Sequence, residues 1–562
     1  MKIPENFRQM ARRLGEVRLI ARIGRELKRI PPTGRYLGLL IITVIFLLYV
    51  LQSYSSRRPR NVILVVADGM GPSQISLLAL FAKKAASSPY HGRLAALELM
   101  MREGHSALVL TNTADRLVTD SAASASQYAT GVMTRNEMVG LDVAGRPVET
   151  ILEKFRKAGK RVGLVTDTRI THATPAAFAA HVTHRSREDL IAENLLAVAP
   201  DVMLGGGVSY WIPSGYGGRR TEVLMGALGQ RLQDFTRLRS RRRDDRNLLA
   251  EAEKKGYCLA LSRDEMLRCS GAKMLGLFTP YHMPGALSGA RSHSGEKQRL
   301  PTLKEMAQTA LKKLSERDEG FFLMVEAGLI DDAAHDNDAG TLLHELLNFD
   351  DVLSYLLEWT RGRNDTLLVL ISDHDTASFG FSYSIFDVPS PEKIGNGLAD
   401  NGSYRPGFNF GKFDILDKLY RQKKSYRAIM REYNRLPEED RGPGSLMKLI
   451  NDNMEFKITR KEAARILEMT RNEYYRSDHR FLKEYTIPRI DDFREFYVYT
   501  GSMRPNLIGR TLARQQNVTW GSGTHSASPV LAVLYGPGSE NFRGLLHSTD
   551  VGRCVIKAAG LK

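Results

Sequence analysis

The sequence predicts an α/β fold in which a largely parallel β-sheet is covered by helices on both faces. Five continuous apolar runs, rich in Val and Leu, have the length of buried strands. They are NVILVVA (61–67), RVGLVT (161–166), FFLMVEA (321–327), TLLVLIS (366–372) and PVLAVLY (529–535). Helical patterns separate the runs, as expected for parallel strands joined by crossovers. Asp68, Glu326 and Asp373 stand at the ends of three runs, where open α/β sheets bind ligands.

Size and composition leave the number of domains open. The chain has 562 residues, so one elaborated domain and two domains are both compatible with its length. Hydrophobic residues make up 43% and charged residues 25%, which argues against a mainly disordered chain. The three cysteines, Cys258, Cys269 and Cys554, are too few for a disulfide framework or a thiolate zinc site. Cys258 and Cys269 could pair in an oxidising compartment, but their spacing does not decide this.

The N-terminal segment has the pattern of a basic cytoplasmic tail (1–35) followed by a transmembrane signal anchor (36–53). Residues 36–51, YLGLLIITVIFLLYVL, carry no charge, and with two more residues they cross a hydrocarbon core of about 30 Å. A buried core helix is disfavoured because the segment is apolar on every face. A cleaved signal is disfavoured because QSYSSRRPR offers no clear small-x-small site. The positive-inside rule then places the rest of the chain on the periplasmic or extracellular side of the membrane.

The basic charge does not indicate a nucleic-acid partner. The formal net charge is +17, but residues 1–35 hold ten Lys or Arg against three acids. Two short clusters, Arg57-Arg58-Pro59-Arg60 and Arg241-Arg242-Arg243, hold more of it. Because the charge is localised in this way, we expect a membrane partner and no nucleic-acid partner.

The remaining chain divides into a catalytic domain (60–390 and 517–562) and an insertion (391–516). Helix-like, aromatic and charged patterns dominate the insertion, which has few strand-like runs. It is too patterned for a structureless loop, so we expect a mainly helical lid or contact surface. Residues 214–300 have the pattern of an elaboration outside the core.

The motif VTDSAASASQYATGV (118–132) places a serine at a helix start. Ser121 follows Asp120 and opens a run of small residues that ends near Gly131. A hydroxyl there lies among backbone N–H groups that favour an approaching phosphate. By itself the motif is explained equally well by an ordinary capped helix.

Acids and histidines follow the predicted strands in four motifs. The motifs are VADGMG (66–71), VEAGLIDDAAH (325–335), LISDHDTAS (370–378) and GSGTHSASPV (521–530). Asp331 and His335 stand four residues apart, so on a helix they share a face and can hold one metal ion. Asp373 and His374 offer mixed oxygen and nitrogen ligation, which suits zinc. Each motif alone has an ordinary explanation as a turn or a cap, but one metal cluster explains them together.

These motifs, together with THATPAAFAAHVTHR (171–185), closely resemble those of the alkaline phosphatases. The resemblance covers roughly residues 60–390 and 517–562, in family order. It implies a three-layer α/β/α sandwich around a large, mostly parallel mixed sheet. It also implies hydrolysis of small phosphomonoesters through a phosphorylated serine. Family members are usually homodimers, although an inserted segment can change that.

The resemblance also implies two zinc ions, one magnesium ion and a role for each matching residue. Ser121 matches the nucleophile, Arg185 the arginine that grips the substrate phosphate, and Asp120 the acid that steadies it. The implied metal ligands are Asp331, His335 and His525 on one zinc, Asp373 and His374 on the second, Asp68 bridging toward magnesium, and Glu326 and Thr174 on magnesium. His172 stands where many bacterial members carry an acid, so the third ion is either magnesium or zinc. Thr376 replaces a histidine that supports a zinc ligand in some relatives.

Two other functions compete with this interpretation. A phosphodiesterase of the same superfamily would usually carry a threonine nucleophile and lack the arginine, so Ser121 with Arg185 favours monoesters. A catalytically silent, membrane-anchored binding protein would usually have lost ligands or the nucleophile, and none of the matching positions is missing.

Overall fold

The computed structural model of the chain describes residues 58–216, 227–232, 235, 238–287, 300–393, 403–540 and 542–561. The predicted basic tail (1–35) and transmembrane anchor (36–53) lie outside these residues. Among the helices of the described ranges, none combines the length and the apolar character needed to cross a membrane.

Eighteen strands occur in the described residues, and ten of them form one central sheet. In chain order the strands are β1 (Asn61–Ala67), β2 (His105–Leu110), β3 (Arg161–Arg169), β4 (Val202–Gly206), β5 (Tyr257–Ala260), β6 (Lys273–Leu277), β7 (Phe321–Ala327), β8 (Thr366–Ile371), β9 (Asp375–Thr376), β10 (Gly380–Phe381), β11 (Glu392–Lys393), β12 (Ser403–Tyr404), β13 (Met469–Arg471), β14 (Thr486–Pro488), β15 (Val518–Thr519), β16 (His525–Ser526), β17 (Val530–Tyr535) and β18 (Gly544–His547). The sheet order is β18-β2-β17-β8-β1-β7-β3-β4-β6-β5.

The sheet is mixed, because β17 runs antiparallel to both of its neighbours, β2 and β8. The other neighbouring pairs are parallel. In the centre, Val66 of β1 lies opposite Glu326 of β7 and Ile371 of β8. This register brings the carboxyl ends of the three strands to the same edge, so Asp68, Glu326 and Asp373 meet there.

Helices pack on both faces of the sheet. In chain order they are α1 (Pro72–Lys84), α2 (Ala96–Glu103), α3 (Ser121–Thr130), α4 (Ile151–Lys157), α5 (Ala173–Ala176), α6 (Glu188–Val198), α7 (Ala227–Leu232), α8 (Leu248–Lys254), α9 (Arg263–Arg268), α10 (Leu303–Leu314), α11 (Leu329–His335), α12 (Ala339–Thr360), α13 (Asp414–Tyr420), α14 (Tyr426–Tyr433), α15 (Pro443–Asn453), α16 (Arg460–Leu467), α17 (Met503–Gln516) and α18 (Ser548–Ala558). Short 3₁₀ turns occur at Val208–Tyr210, Glu438–Asp440 and Arg494–Phe496.

Alternate residues of β1 belong to two separate cores. Ile63 and Val65 pack with α1, α10 and α12 on one face, whereas Leu64 and Val66 pack with α3, α4 and α6 on the other. A strand buried on both faces needs a continuous apolar run, which is why the central strands are readable in the sequence.

The segment 391–516 contains α13 to α17 and two short antiparallel strand pairs, β11-β12 and β13-β14, within its described part. Its apolar side chains, including Leu419, Ile429 and Ile508, join the core that also contains Leu342 of α12. This segment therefore shares a core with the central sheet.

The five strands predicted from the sequence are confirmed as β1, β3, β7, β8 and β17. The expectation that residues 214–300 stand outside the core is wrong in part, because β5 and β6 extend the sheet at one edge. Cys258 of β5 and Cys269 form a disulfide, with their Cα atoms 6.1 Å apart.

Candidate active site

Ser121 is the first residue of α3 and lies at the centre of the site. Asp120 caps the helix by accepting hydrogen bonds from the N–H groups of Ala122 (3.2 Å) and Ala123 (3.3 Å). The Ser121 side chain is buried, and its Oγ lies 3.1 Å from Nε2 of His374. The local sequence therefore fixes a hydroxyl at a helix N-terminus, next to a histidine that follows β8.

The predicted ligands from distant parts of the chain converge beside this hydroxyl. Among the described residues, three groups of side chains each bring their donor atoms within 4.8 Å of one another. The groups are Asp331, His374 and His525; Asp68, Asp373 and His374; and Asp68, His172 and Glu326. Each group outlines one candidate metal position. Asp68 and His374 each belong to two groups, so the three positions are adjacent to one another.

His335 completes the first of these positions. Its Nε2 lies 3.2 Å from Oδ2 of Asp331 and 3.1 Å from Nε2 of His525. Its Nδ1 lies 2.8 Å from the carbonyl oxygen of Gly523, which directs Nε2 toward the site. The spacing of Asp331 and His335 on α11 thus produces the shared face predicted from the sequence.

Asp373 and His374 form the second position, directly after β8. Nε2 of His374 lies 3.3 Å from Asp373 and 3.5 Å from Asp68. The hydroxyl of Thr376 donates to Oδ1 of Asp331 (2.5 Å) and lies 3.2 Å from Nδ1 of His374. Thr376 therefore connects residues of the first two positions.

The third position lies between β1, β7 and the segment after β3. Oε2 of Glu326 accepts hydrogen bonds from Thr166 and from Thr168 (3.0 Å). Nδ1 of His172 lies 4.0 Å from Oε1 of Glu326. Thr174, in the short helix α5, is fully buried. Thr166 and Thr168 were not predicted from the sequence, since alternate threonines in a strand look like ordinary β-formers.

Arg185 lies beside Ser121 and is held from two sides. Its Nη1 donates to Oδ2 of Asp120 (2.9 Å), and its Nη2 lies 3.1 Å from Nε2 of His172. Asp120 also accepts from the N–H of Glu137 (2.8 Å). One carboxylate thus fixes both the start of α3 and the guanidinium, a planar donor suited to phosphate oxygens.

The donor set fits divalent cations. Both carboxylate oxygens of Asp68, Oε1 of Glu326 and Oδ2 of Asp373 are buried without a hydrogen-bond partner among the described residues. Burial, with the charges of Asp331 and Glu326 nearby, raises the pKa of Asp373 to about 7. Burial also raises the pKa of Asp68, and Asp373 raises it further. Unpaired buried carboxylates are costly, and bound cations remove that cost.

A cavity of about 780 Å³ opens onto these residues, and part of its wall was not predicted. The segment 478–481, Phe496 and Tyr499 line this cavity together with Ser121 and Arg185. The ring of Tyr499 lies edge-on to the ring of His335, with centroids 4.8 Å apart. No motif marks this wall, because its position depends on how the segment 391–516 folds over the sheet.

Comparisons with known proteins identify relatives of this chain. The family model described as alkaline phosphatase matches residues 59–470. The repressible alkaline phosphatase of Saccharomyces cerevisiae is 34% identical over 63% of this chain and 62% of its own length. Alkaline phosphatase 4 of Bacillus subtilis is 26% identical over 89% of this chain and 88% of its own. The crystal structure of Thermus thermophilus alkaline phosphatase covers 90% of this chain and 92% of its own, with a TM-score of 0.70 and 28% identity.

Proposed function

The chain belongs to the alkaline phosphatase family, and from that premise we propose that it hydrolyses phosphomonoesters through a phosphoserine formed at Ser121. The observation that carries the proposal is the convergence of carboxylates and histidines beside a buried serine hydroxyl, several of the carboxylate oxygens having no hydrogen-bond partner in the described part of the chain. A phosphodiesterase of the same superfamily and a catalytically silent binding protein are the alternatives.

Each residue beside Ser121 has a distinct role in this proposal. Oγ of Ser121 loses its proton and forms a bond to phosphorus while the bond to the ester oxygen breaks, and the alcohol leaves with a proton. Water then cleaves the bond between phosphorus and Oγ, which restores the serine hydroxyl and releases inorganic phosphate. Arg185 donates to the phosphoryl oxygens that gain charge, and Asp120 keeps its guanidinium in place (2.9 Å). The N-terminus of α3 faces the same charge.

For the cofactors we propose two Zn²⁺ and one Mg²⁺, with Zn²⁺ as the alternative third ion. Asp331, His335 and His525 would hold one zinc, and Asp373 and His374 the other. Asp68 would bridge toward the third ion, held by Glu326 and Thr174 with His172 nearby. When bound, such ions supply Lewis acidity that stabilises the serine and leaving-group oxygens in an in-line displacement.

The first test is a Ser121→Ala variant beside a Ser76→Ala control, an exposed serine on α1. We expect Ser121→Ala to lose turnover of p-nitrophenyl phosphate while keeping its metal content and melting temperature, and Ser76→Ala to match the wild type. Turnover that survives in Ser121→Ala would refute the nucleophile. Faster hydrolysis of bis-p-nitrophenyl phosphate than of the monoester would favour the diesterase, and no hydrolysis of either would favour the silent protein.

We also propose that residues 36–53 anchor the protein as a single membrane pass, with the catalytic domain on the periplasmic or extracellular side. The Cys258–Cys269 disulfide supports this, since disulfides persist in oxidising compartments. We expect the full chain to need detergent for extraction, and a chain starting at residue 58 behind a cleavable export signal to be recovered without detergent. Detergent-free release of the full chain would contradict the anchor. Light scattering of the shorter chain tests the homodimer expected from the family.

A further inference from the structure

The cavity over Ser121 is much larger than a phosphate needs. Its volume of about 780 Å³ lies within the range of about 300–1,000 Å³ typical of pockets that enclose a drug-sized molecule. Ser121, Arg185 and the predicted metal-binding histidines form one part of the lining, and the phosphoryl group is accounted for there. The alcohol half of a phosphomonoester must therefore occupy the part of the cavity that other residues line.

Another part of the lining is an aromatic wall, which we define as Phe481, Phe496 and Tyr499. The rings of Phe481 and Tyr499 are perpendicular, with centroids 5.4 Å apart. Tyr499 in turn packs edge-on against His335. Phe481 and Tyr499 are half-buried, and Phe496 is 51% exposed. The wall thus presents partly uncovered ring surface to the cavity, and it is fixed to the catalytic side through Tyr499.

A cation extends this wall toward the solvent. The guanidinium of Arg480 lies over the ring of Phe481, 5.0 Å from its centroid. Arg480 and His479 line the same cavity and are exposed. Rings that are uncovered in a pocket gain free energy when another flat ring packs on them, and a short aliphatic alcohol cannot supply that area.

Resting on the proposed function, we propose that the aromatic wall binds the alcohol half of the substrate and selects planar aromatic alcohols, aryl or nucleoside, over small aliphatic ones. The wall acts as a specificity determinant, since it contacts the leaving group and leaves the phosphoryl group to Ser121 and Arg185.

The test compares Phe481→Leu with the wild type on phenyl phosphate and ethyl phosphate. Leucine keeps the apolar bulk but removes the ring, so the fold is retained, as the melting temperature will show. We expect kcat/KM for phenyl phosphate to fall about fivefold, the scale of one aromatic contact, and that for ethyl phosphate to change less than about twofold. The matched control is Phe410→Leu, a phenylalanine that is 62% exposed in the same insertion and away from the cavity lining.

Titration calorimetry with phenylphosphonate and methylphosphonate measures binding without turnover. We expect Phe481→Leu to raise the dissociation constant of phenylphosphonate about fivefold and to leave that of methylphosphonate nearly unchanged. If Phe481→Leu changes the values for the phenyl compound and for its aliphatic counterpart equally, or changes neither, the proposed selectivity is overturned. If the wild type hydrolyses no monoester, the proposed function fails, while selective loss of binding by phenylphosphonate would still support the wall.

Discussion

At the residue scale, the first ligand position depends on a glycine that no other residue can replace without strain. Gly69, in the turn after β1, has φ +74°. A Cβ on Gly69 would lie 2.8 Å from Oγ1 of Thr376, 2.9 Å from Oδ1 of Asp331 and 3.0 Å from the Cα of Asp331. Gly69 of the motif VADGMG therefore makes the turn and also allows close packing against Asp331 and the hydroxyl of Thr376.

We therefore expect Gly69→Ala to displace Asp331 and Thr376. Metal affinity should fall by at least about tenfold, as is usual when residues that orient ligands are disturbed. Activity on p-nitrophenyl phosphate should fall with it, and the positive φ adds about 1 kcal/mol or more of destabilisation. Metal content after desalting, activity and melting temperature measure the three effects.

Gly159→Ala is the matched control for this prediction. Gly159 follows α4 with φ +77°, and a Cβ there would meet nothing within 4 Å. It should lose about 1 kcal/mol of stability for the backbone conformation alone and keep its metals and activity. Equal metal loss in the two variants would show that the effect of Gly69 is not steric.

At the scale of elements, α17 of the insertion supports a ligand on α11. Nδ2 of Asn506 donates to the carbonyl oxygen of His335 (2.6 Å) and to Oδ1 of Asn337 (3.0 Å). These atoms are buried where α11 ends. The insertion therefore supports the backbone of His335 and also lines the cavity.

We expect Asn506→Ala to leave the His335 carbonyl group without this donor, at a cost of about 1–3 kcal/mol. The melting temperature and the metal content after desalting should both fall. The control is Gln515→Ala on the same helix, where Nε2 donates to the carbonyl of Lys457 (2.7 Å) away from the site. An Asn506→Ala protein that keeps its metals, or a Gln515→Ala protein that loses them equally, would contradict the role of α17.

His181 connects α4 to the loop that contains Gly140, and it makes the free energy of unfolding depend on pH. Nδ1 of His181 lies 2.8 Å from the carbonyl oxygen of Gly140, and Nε2 lies 3.1 Å from Oε1 of Glu153. Burial alone would lower the pKa of His181, but the hydrogen bonds to Glu153 and Gly140 raise it overall. Because the folded pKa lies above the unfolded value of about 6.5, the stabilisation is complete below that pH and is lost as pH rises through the folded pKa.

We accordingly expect His181→Gln to lower the melting temperature more at about pH 6 than at about pH 9, the difference corresponding to about 1 kcal/mol. Thermal unfolding of both proteins at the two pH values measures it. Comparing each variant with the wild type at the same pH removes the contribution of other titrating groups. If the melting temperature falls equally or more at the higher pH, the ionised pair of His181 and Glu153 is contradicted.

At the scale of the whole molecule, the sequence predicted what lies in the middle of the sheet. β1, β7 and β8 are buried on both faces, so they are continuous apolar runs that end in chemically informative residues. Residues such as Asp373 and His374 could be found because their chemistry is local: a strand end followed by donors. The strands near the edges of the sheet were harder to predict from the sequence, because they are not continuous apolar runs of full length. β2 alternates between exposed and buried residues, and β5 has only four residues.

The aromatic wall and Asn506 could not be predicted, because their roles depend on a contact between distant segments. Phe481 and Tyr499 have ordinary insertion sequences around them, and nothing local distinguishes them from exposed aromatic residues such as Phe410. The segment around them has a small core of its own, which includes Tyr497 and Met503. Met503 begins α17, whose Ile508 joins the core shared with α12. Motifs therefore indicate the phosphoryl side of the site, and tertiary packing determines the side that faces the alcohol.

The most direct measurement is elemental analysis of the purified protein, paired with hydrolysis of p-nitrophenyl phosphate before and after treatment with a chelator. If the carboxylates and histidines gathered beside Ser121 hold catalytic cations, activity will disappear as zinc and magnesium are removed and return when both are restored. Full activity in protein shown to contain no divalent metal would contradict the account.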